Sequence, residues 1–207
     1  MVKQLSPRSA NLKRALAQEA ARIMIEHGIA DFLTAKRKAA ERFGVSDQGA
    51  LPKNREIELA LAEHQRLFGA AEHERQLRHK RDTAATVMRL LESYQPRLVG
   101  AVLAGTASAH SVIELHLFAE RAELVSIALL DADIEYEVVT RRIRMGGDHQ
   151  AEVPALRFGF DDEEFLALVF PVDGLRQAPL SAVDGRPMRR AGEAEVTALL
   201  AAAPAAL

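Results

Sequence analysis

Apolar residues return every three or four positions through most of the first half of the chain. This is the period of an amphipathic helix, and the runs are separated by Gly28, Gly44 and the polar segment 45–54. The pattern predicts four helices, over 11–28, 31–44, 55–69 and 71–94. Asp31 and Asn54 are the expected N-caps of the second and third helices, because their side chains accept hydrogen bonds from a first helical turn.

The same spacing predicts which helical faces are buried. The first helix is expected to bury Leu12, Leu16, Ala20, Ile23 and Met24. The second is expected to bury Phe32, Ala35, Ala39 and Phe43. A small helical core is therefore predicted for the N-terminal part of the chain.

After Pro96 the pattern changes to short apolar or alternating runs, which are typical of strands. Strands are predicted over 97–105, 111–118, 134–145, 155–160 and 165–172, with helices over 121–133 and 192–203 and a hairpin turn at 161–164. The chain is thus predicted to be α+β. A helical module, 1–95, precedes a module at 96–207 that is built on a mixed or mostly antiparallel sheet with flanking helices.

Composition narrows the class of protein. Hydrophobic residues make up 48% of the chain and charged residues 27%, as in ordinary globular proteins. Cysteine is absent, which excludes disulfides, thiolate zinc sites and a cysteine nucleophile. No apolar run approaches the ~20 residues that span a bilayer, and the basic N-terminus lacks the apolar centre of a secretory signal. A cytoplasmic protein without membrane partners is expected, and its Ala/Arg-rich character is typical of bacteria.

Charge divides unevenly along the chain. Residues 1–95 contain 17 Lys and Arg against 12 Asp and Glu, a net charge of +5, whereas residues 96–207 contain 10 against 17, a net of −7. Lys36, Arg37 and Lys38 precede a Gly-Val-Ser break, an order similar to a helix-turn-helix. One interpretation is a nucleic-acid or protein partner for the basic helical half. The other is a solvated helix face.

The segment 98–118, LVGAVLAGTASAHSVIELHLF, contains the residues that suggest chemistry. It resembles the minimal nucleotidyltransferase (DNA polymerase beta-like) superfamily. There a strand ends in hydrophobic-Gly-Ser, a turn often contains Gly-Thr-Ala, and a second strand opens with Ser-Asp-hydrophobic-Asp. Without gaps, this chain supplies Val99-Gly100-Ala101, then Gly105-Thr106-Ala107, then Ser111-Val112-Ile113-Glu114-Leu115.

The resemblance implies nucleotide binding with transfer activity that is weak or lost. In the family two carboxylates on one strand hold divalent cations, which orient the nucleotide phosphates. Here Val112 replaces the first carboxylate, Glu114 keeps the second, and Ala101 replaces the serine. Any catalysis would rest on Glu114 with His116. A nucleotide or phosphorylated small molecule would bind at Gly100, Gly105, Thr106 and Ser111, through backbone donors of the turn. Alternatively, the glycines only permit a tight turn.

A metal site is the other hypothesis for this strand. Alternation places Val112, Glu114, His116 and Phe118 on one face and Ile113, Leu115 and Leu117 on the other. Glu114 and His116 could hold one ion with His110 as a third ligand, and the resemblance would add Glu135 or Glu137 from the next strand. The family's ion is Mg or Mn, whereas imidazole with carboxylate suits zinc or manganese. The alternative is a solvated face with two incidental polar residues.

Arginines supply a last set of candidates. Those on the strand and in the tail could bind a triphosphate if the tail folds over the sheet: Arg141, Arg142, Arg144, Arg176, Arg186, Arg189 and Arg190. They could equally pair with nearby acidic residues. No Ser/His/Asp arrangement, HExxH motif or Walker-type loop is present to indicate another chemistry.

Overall fold

The computed structural model describes residues 7–68, 70–146 and 149–202. Its helices are α1 (Pro7–His27), α2 (Phe32–Arg42), α3 (Asn54–Phe68), α4 (Ala70–Leu90), α5 (Gly100–Ala104), α6 (Ala122–Asp131) and α7 (Glu193–Ala201). Its strands are β1 (Arg97–Val99), β2 (Ile113–Phe118), β3 (Tyr136–Arg144), β4 (Gln150–Phe160) and β5 (Glu163–Phe170). The predicted α+β class is confirmed.

The five strands form one mixed sheet in the order β1-β2-β5-β4-β3. Only β2 and β5 are parallel; the other neighbours are antiparallel. The chain leaves β2 through α6 and returns as β3 at the far edge of the sheet, before β4 and β5 fill the space between. Strands that follow each other in sequence, β2 and β3, are therefore three positions apart in the sheet.

Each face of the sheet packs against a separate apolar cluster. Ile113, Leu115 and Leu117 of β2 lie in the larger cluster, with residues from α4, α6 and α7. Phe118 lies in the smaller cluster on the opposite face, with Leu168 and other residues of β4 and β5. The alternation predicted for β2 is confirmed, and it leaves Glu114 and His116 on the face of the smaller cluster.

The chain divides into two compact units, and the division falls at His73/Glu74 rather than after residue 95. Short pieces at 108–110 and 182–184 join the first unit. Most of α4 belongs to the second unit because Ala84, Val87 and Met88 are buried in the sheet's larger cluster. The first unit has its own core from α1, α2 and α3, which includes the predicted residues Leu16, Ala20, Ile23, Met24, Ala35 and Ala39.

Two predicted strand and helix features are wrong for local reasons. The run 97–105 was expected to be a strand, but β1 ends at Val99 because Gly100 adopts φ +69° and begins α5. Phe43 was expected in the core, but it follows the last residue of α2 and is 46% exposed. Two predicted helix ends, residues 69 and 203, lie outside the described residues.

One of the two predicted helix N-caps is confirmed and the other is wrong. Asp31 caps α2 as predicted, its carboxylate accepting the Thr34 N–H at 2.7 Å. Asn54 does not cap α3. The Lys53 carbonyl accepts the first helical N–H groups and the Glu56 carboxylate accepts the Lys53 N–H at 2.6 Å. This reciprocal arrangement moves the cap one residue earlier, and the Asn54 side chain instead donates to the Ala182 carbonyl.

Candidate functional site

The Glu114 carboxylate lies against the point where β1 ends and α5 begins. Val99 and Glu114 are directly opposite in the antiparallel pair β1·β2, so the next residue, Gly100, is beside the carboxylate. A Cβ atom at Gly100 would lie 3.1 Å from Glu114 Oε1, and the backbone there has φ +69°. Glycine is therefore required for two reasons: the left-handed backbone and the close approach of the carboxylate.

Glu114 is half-buried. Burial raises the pKa of its carboxyl group above the ordinary glutamate value, and the positive charge of Arg141 opposes that shift without cancelling it. The protonated form is consequently favoured more than in an exposed glutamate. A neutral carboxyl is a poor metal ligand but can donate a hydrogen bond.

His116 is enclosed and neutral. It is 1% exposed, its ring lies 4.7 Å from the ring of Phe170, and its Nδ1 accepts a hydrogen bond from Arg190 Nε at 3.0 Å. Burial, with a smaller contribution from the Arg190 charge, lowers the pKa of His116 to about 3. Since Nδ1 is the acceptor, the ring proton is on Nε2. Nδ1 is therefore already occupied, and the imidazole does not change charge near neutral pH.

Arg190 reaches this face because the C-terminal tail extends the sheet edge. Backbone hydrogen bonds join Leu98 of β1 to Ala191 in both directions, which sets the preceding arginine over the sheet. Arg190 Nη1 donates to the carbonyls of Gly174 at 2.9 Å and Leu175 at 3.3 Å. Its guanidinium carbon lies 5.0 and 5.2 Å from two ring centres, those of Phe118 and Phe170. Arg190 therefore lies over the sheet, which is the position that triphosphate binding by the tail arginines requires.

The predicted phosphate turn uses its backbone donors internally. The N–H groups of Gly105 and Thr106 both donate to the Ala101 carbonyl, at 2.9 and 3.0 Å, and Gly105 adopts φ +85°. This closes the C-terminal end of α5 in the way glycine commonly ends helices. Arg81 donates to the next two carbonyls, Val102 and Leu103. A phosphate could use the two N–H groups only by displacing the Ala101 carbonyl.

The other predicted ligands are not brought to Glu114. Register places Glu114, Leu166, Arg157 and Glu137 in one row across the sheet. Three strand spacings of ~4.8 Å separate the two glutamates, or roughly 14 Å. Glu135 is exposed and precedes β3. Within residues 7–68, 70–146 and 149–202, no group of three or more His, Asp or Glu side chains could hold a metal ion.

The remaining candidates lie elsewhere in their units. His110 packs on Gly28 in the first unit, where a glycine Cβ would lie 3.0 Å from the His110 Cβ. Val112, at the position of the missing carboxylate, packs against the smaller apolar cluster. Ser111 is half-buried immediately before β2.

Sequence reasoning missed the aromatic and cationic surroundings of His116. Arg97 lies directly opposite His116 in the β1·β2 pair, and the Phe170 ring of β5 packs against the His116 ring at a tilt of 57°. The first could have been found by pairing the two predicted strands. The second depends on β5 lying beside β2, which no pattern in the sequence indicates.

The basic segment of α2 is solvent-accessible. Arg37 and Lys38 are exposed, while burial lowers the pKa of the half-buried Lys36. Among the described residues, no carboxylate lies within ion-pair distance of Arg37 or Lys38. The segment presents two positive charges to solvent.

None of the described helices is both long and apolar enough to cross a membrane. In comparisons with known proteins, the chain matches no protein-family model and no curated protein.

Proposed function

We propose that the protein binds a nucleotide or another phosphorylated ligand at the corner of β1, α5 and β2, and that any nucleotidyl transfer there is weak or lost. The observation that carries the proposal is the Glu114 carboxylate against Gly100. A glycine at the end of a first strand and a carboxylate on its antiparallel neighbour are the two features by which this segment resembles the nucleotidyltransferase superfamily.

The departures from that pattern explain why transfer would be weak. Two-metal transfer needs carboxylates on one face that share the ions. Val112 contributes only apolar packing at one of those positions, and Glu137 lies three strands away. Burial favours the protonated form of Glu114, which reduces its charge toward a cation. Ligand binding does not depend on these missing groups.

A thermal-unfolding panel tests the proposal. The protein is measured with each nucleoside triphosphate, with and without Mg²⁺ or Mn²⁺, and the series is repeated on Glu114→Ala. A ligand at a hundredfold excess over its Kd stabilises the folded state by about 2.7 kcal/mol. We expect at least one nucleotide to raise the midpoint, and the rise to shrink in Glu114→Ala but not in the exposed control Glu120→Ala. No shift with any nucleotide would exclude a nucleotide as the ligand, and no shift with inorganic pyrophosphate either would overturn the proposal.

Restoring the missing carboxylate gives a second test. Val112→Asp would place a carboxylate two residues before Glu114 on the same face of β2. If the corner retains the superfamily geometry, Mn²⁺ should bind Val112→Asp more tightly than the wild type, as measured by calorimetry. Equal Mn²⁺ affinity in the two proteins would show that the alignment with the superfamily is out of register.

A second candidate function is a polyanion-binding surface on α2. The exposed charges of Arg37 and Lys38, beside the 49% exposed Leu33, favour it. The logarithm of Kd for duplex DNA or RNA should rise linearly with the logarithm of the salt concentration. The double variant Arg37→Ala/Lys38→Ala should reduce the slope of that line by about 2. A salt-independent or unchanged affinity would exclude this function.

A further inference from the structure

Arg190 has a positive charge that no carboxylate of the described residues neutralises. Its three hydrogen bonds go to the neutral His116 ring and to the carbonyls of Gly174 and Leu175. Its Nη2 atom is buried and has no hydrogen-bond partner. In the part of the chain that the structure describes, no Asp or Glu forms an ion pair with it.

A second arginine, Arg97, lies beside Arg190 and also has no carboxylate partner among the described residues. Arg97 is directly opposite His116, and the bridge between Leu98 and Ala191 sets Gly192 next to it, where a Cβ would lie 3.8 Å from Arg97 Nη1. That Nη1 donates to the carbonyls of Gln95 and Pro96 only.

Two neighbouring cations without an anion are unfavourable. Both arginines are half-buried, so their charges are partly removed from water, which costs free energy unless an opposite charge is nearby. A buried polar atom without a protein partner needs an ordered water, an ion or a ligand beside it. The guanidinium is meanwhile held in place by two carbonyls and two aromatic rings, so the orientation of its buried Nη2 is fixed.

The third group on this surface is also a donor. Because His116 Nδ1 accepts from Arg190, its Nε2 bears a hydrogen and can only donate. Arg190 and Arg97 are half-buried and carry positive charge, His116 is 1% exposed, and the one acceptor among the three side chains, His116 Nδ1, is already used by Arg190. An oxyanion with several oxygens is the chemical class that this combination recognises, and arginine is well suited to phosphate.

We infer that Arg190 and Arg97, with the Nε2–H of His116, bind a phosphoryl group without a metal ion. The inference rests on the proposed function, since it specifies how the phosphorylated ligand is held on the face that carries Glu114. The two guanidinium groups supply the positive charge that paired cations supply in the superfamily. Pyrophosphate is the minimal probe, because it has the phosphoryl oxygens without a nucleoside.

Calorimetry with pyrophosphate in a chelator tests this directly. We expect the wild type to bind with Mg²⁺ removed, and Arg190→Met to weaken binding by about 10- to 100-fold, the loss typical of hydrogen bonds to a charged group. Arg97→Met should weaken it similarly, and Arg190→Lys should fall between. The control Arg121→Met removes an exposed arginine elsewhere in the same unit and should leave the affinity unchanged.

A measurement on the wild type avoids any folding defect of the variants. Pyrophosphate should shift the side-chain NMR resonances of Arg190 and His116 in a saturable manner, with the chelator present. A dicarboxylate such as malonate should produce a much smaller shift. Equal shifts would mean that the surface selects oxyanions in general, and that phosphoryl recognition is wrong.

The outcomes separate this inference from the proposed function. Nucleotide binding that requires Mg²⁺ and is unchanged in Arg190→Met would overturn the arginine site and leave the proposed function standing. Pyrophosphate binding that depends on Arg190, with no binding of any nucleotide, would leave the arginine site standing and exclude a nucleotide as the ligand of the proposed function. No binding of pyrophosphate under any condition would overturn the inference.

Discussion

Glycine is needed at position 100 for two reasons: the left-handed backbone conformation there and the close contact with the Glu114 carboxylate. An L-residue in the left-handed region costs about 1–2 kcal/mol, and a methyl group at this position would also press on Glu114 Oε1 at 3.1 Å. Gly185 has nearly the same conformation, φ +71°, but nothing lies within 4 Å of its missing Cβ. The two glycines therefore form a matched pair.

We expect Gly100→Ala to lower the free energy of unfolding by more than Gly185→Ala. The difference should disappear in a Glu114→Ala background, because the contact is then gone while the backbone cost remains. Urea denaturation of the wild type, Glu114→Ala and the two glycine variants in each background, six proteins in all, measures this. Equal losses for the two glycines in the wild-type background would contradict a tight contact at Gly100.

Glu114 should make stability fall as the pH rises. Its pKa is higher in the folded than in the unfolded protein, so the folded state binds more protons between those two values. Stability is then lost as the pH rises from the ordinary glutamate pKa of about 4.3 through the raised value. Glu114→Gln should remove this loss, so in thermal unfolding the stability of the variant should rise relative to that of the wild type as the pH increases above about 4.3. Parallel curves for wild type and variant would rule it out.

His116 should make stability fall as the pH falls. Its folded pKa, about 3, lies below the unfolded value of 6.5, so the folded state binds fewer protons in between. Its contribution is complete above pH 6.5 and is lost in acid, with a slope of up to about 1.4 kcal/mol per pH unit. His116→Asn keeps an acceptor for Arg190 Nε and should flatten the acid limb of the stability curve. An unchanged acid limb would mean that His116 is not held neutral.

At the residue scale, sequence patterns predicted which face of a strand a side chain lies on, but the alternative of a solvated face is wrong for His116, which is 1% exposed. Alternation correctly placed Glu114 and His116 on one face of β2 because strand side chains alternate whatever the fold. The state of His116 depends instead on Arg190, 74 positions away, which reaches it through the tail. No local pattern encodes a partner at that separation.

At the scale of elements, α4 and β5 are joined by a buried ion pair. Lys80 is 2% exposed and bonds to Glu163, the first residue of β5, while Thr83 Oγ1 donates to Asp161 in the adjoining turn. His79 Nε2 lies 3.8 Å from the other Glu163 oxygen. Removing one member of such a pair leaves a desolvated charge, which costs about 3–5 kcal/mol.

We therefore expect Lys80→Met to destabilise the protein by about 3–5 kcal/mol and Lys80→Met/Glu163→Leu to recover most of that loss. The exposed pair of Arg142 and Glu152 is the control, with an expected contribution of about 0–1 kcal/mol. Double-mutant cycles in denaturant give the coupling energies. A double variant as unstable as the single one would show that the pair itself stabilises the fold.

Element types were predicted more reliably than element ends. Most predicted elements are present, but the apolar run after Pro96 is split at Gly100 into a three-residue strand and a short helix. A short apolar run does not distinguish strand from buried helix. The α3 cap shifted by one residue because the Glu56 carboxylate accepts the Lys53 N–H and Asn54 becomes the first helical residue.

At the scale of the whole molecule, strand order decided which predicted ligands could meet. The sequence order placed β3 after β2, and the resemblance then implied that Glu137 would be near Glu114. The sheet instead inserts β5 and β4 between them. Strand order is decided by long-range packing, and strands with similar hydrophobic patterns cannot be ordered from the sequence alone. The candidate site could therefore be predicted only within β1, α5 and β2.

The same strand order should govern how the protein folds. Strands β3, β4 and β5 are consecutive and antiparallel, and Asp161 and Asp162, both with positive φ, form a two-residue turn between the last two. The parallel pair needs Ile113 to find Phe165, 52 positions later. Closing so long a loop costs more entropy than closing a hairpin, and contacts of this kind form late.

Pulsed hydrogen exchange during refolding should therefore protect β4 and the turn-side of β5 before β2. Until β2 docks, one edge of β5 remains unpaired while its residues Leu166 to Phe170 are apolar, and such an edge pairs readily with other chains. Refolding yield should accordingly fall as protein concentration rises. The strand that carries Glu114 and His116 would then also be the one that protects the newly made chain from aggregation.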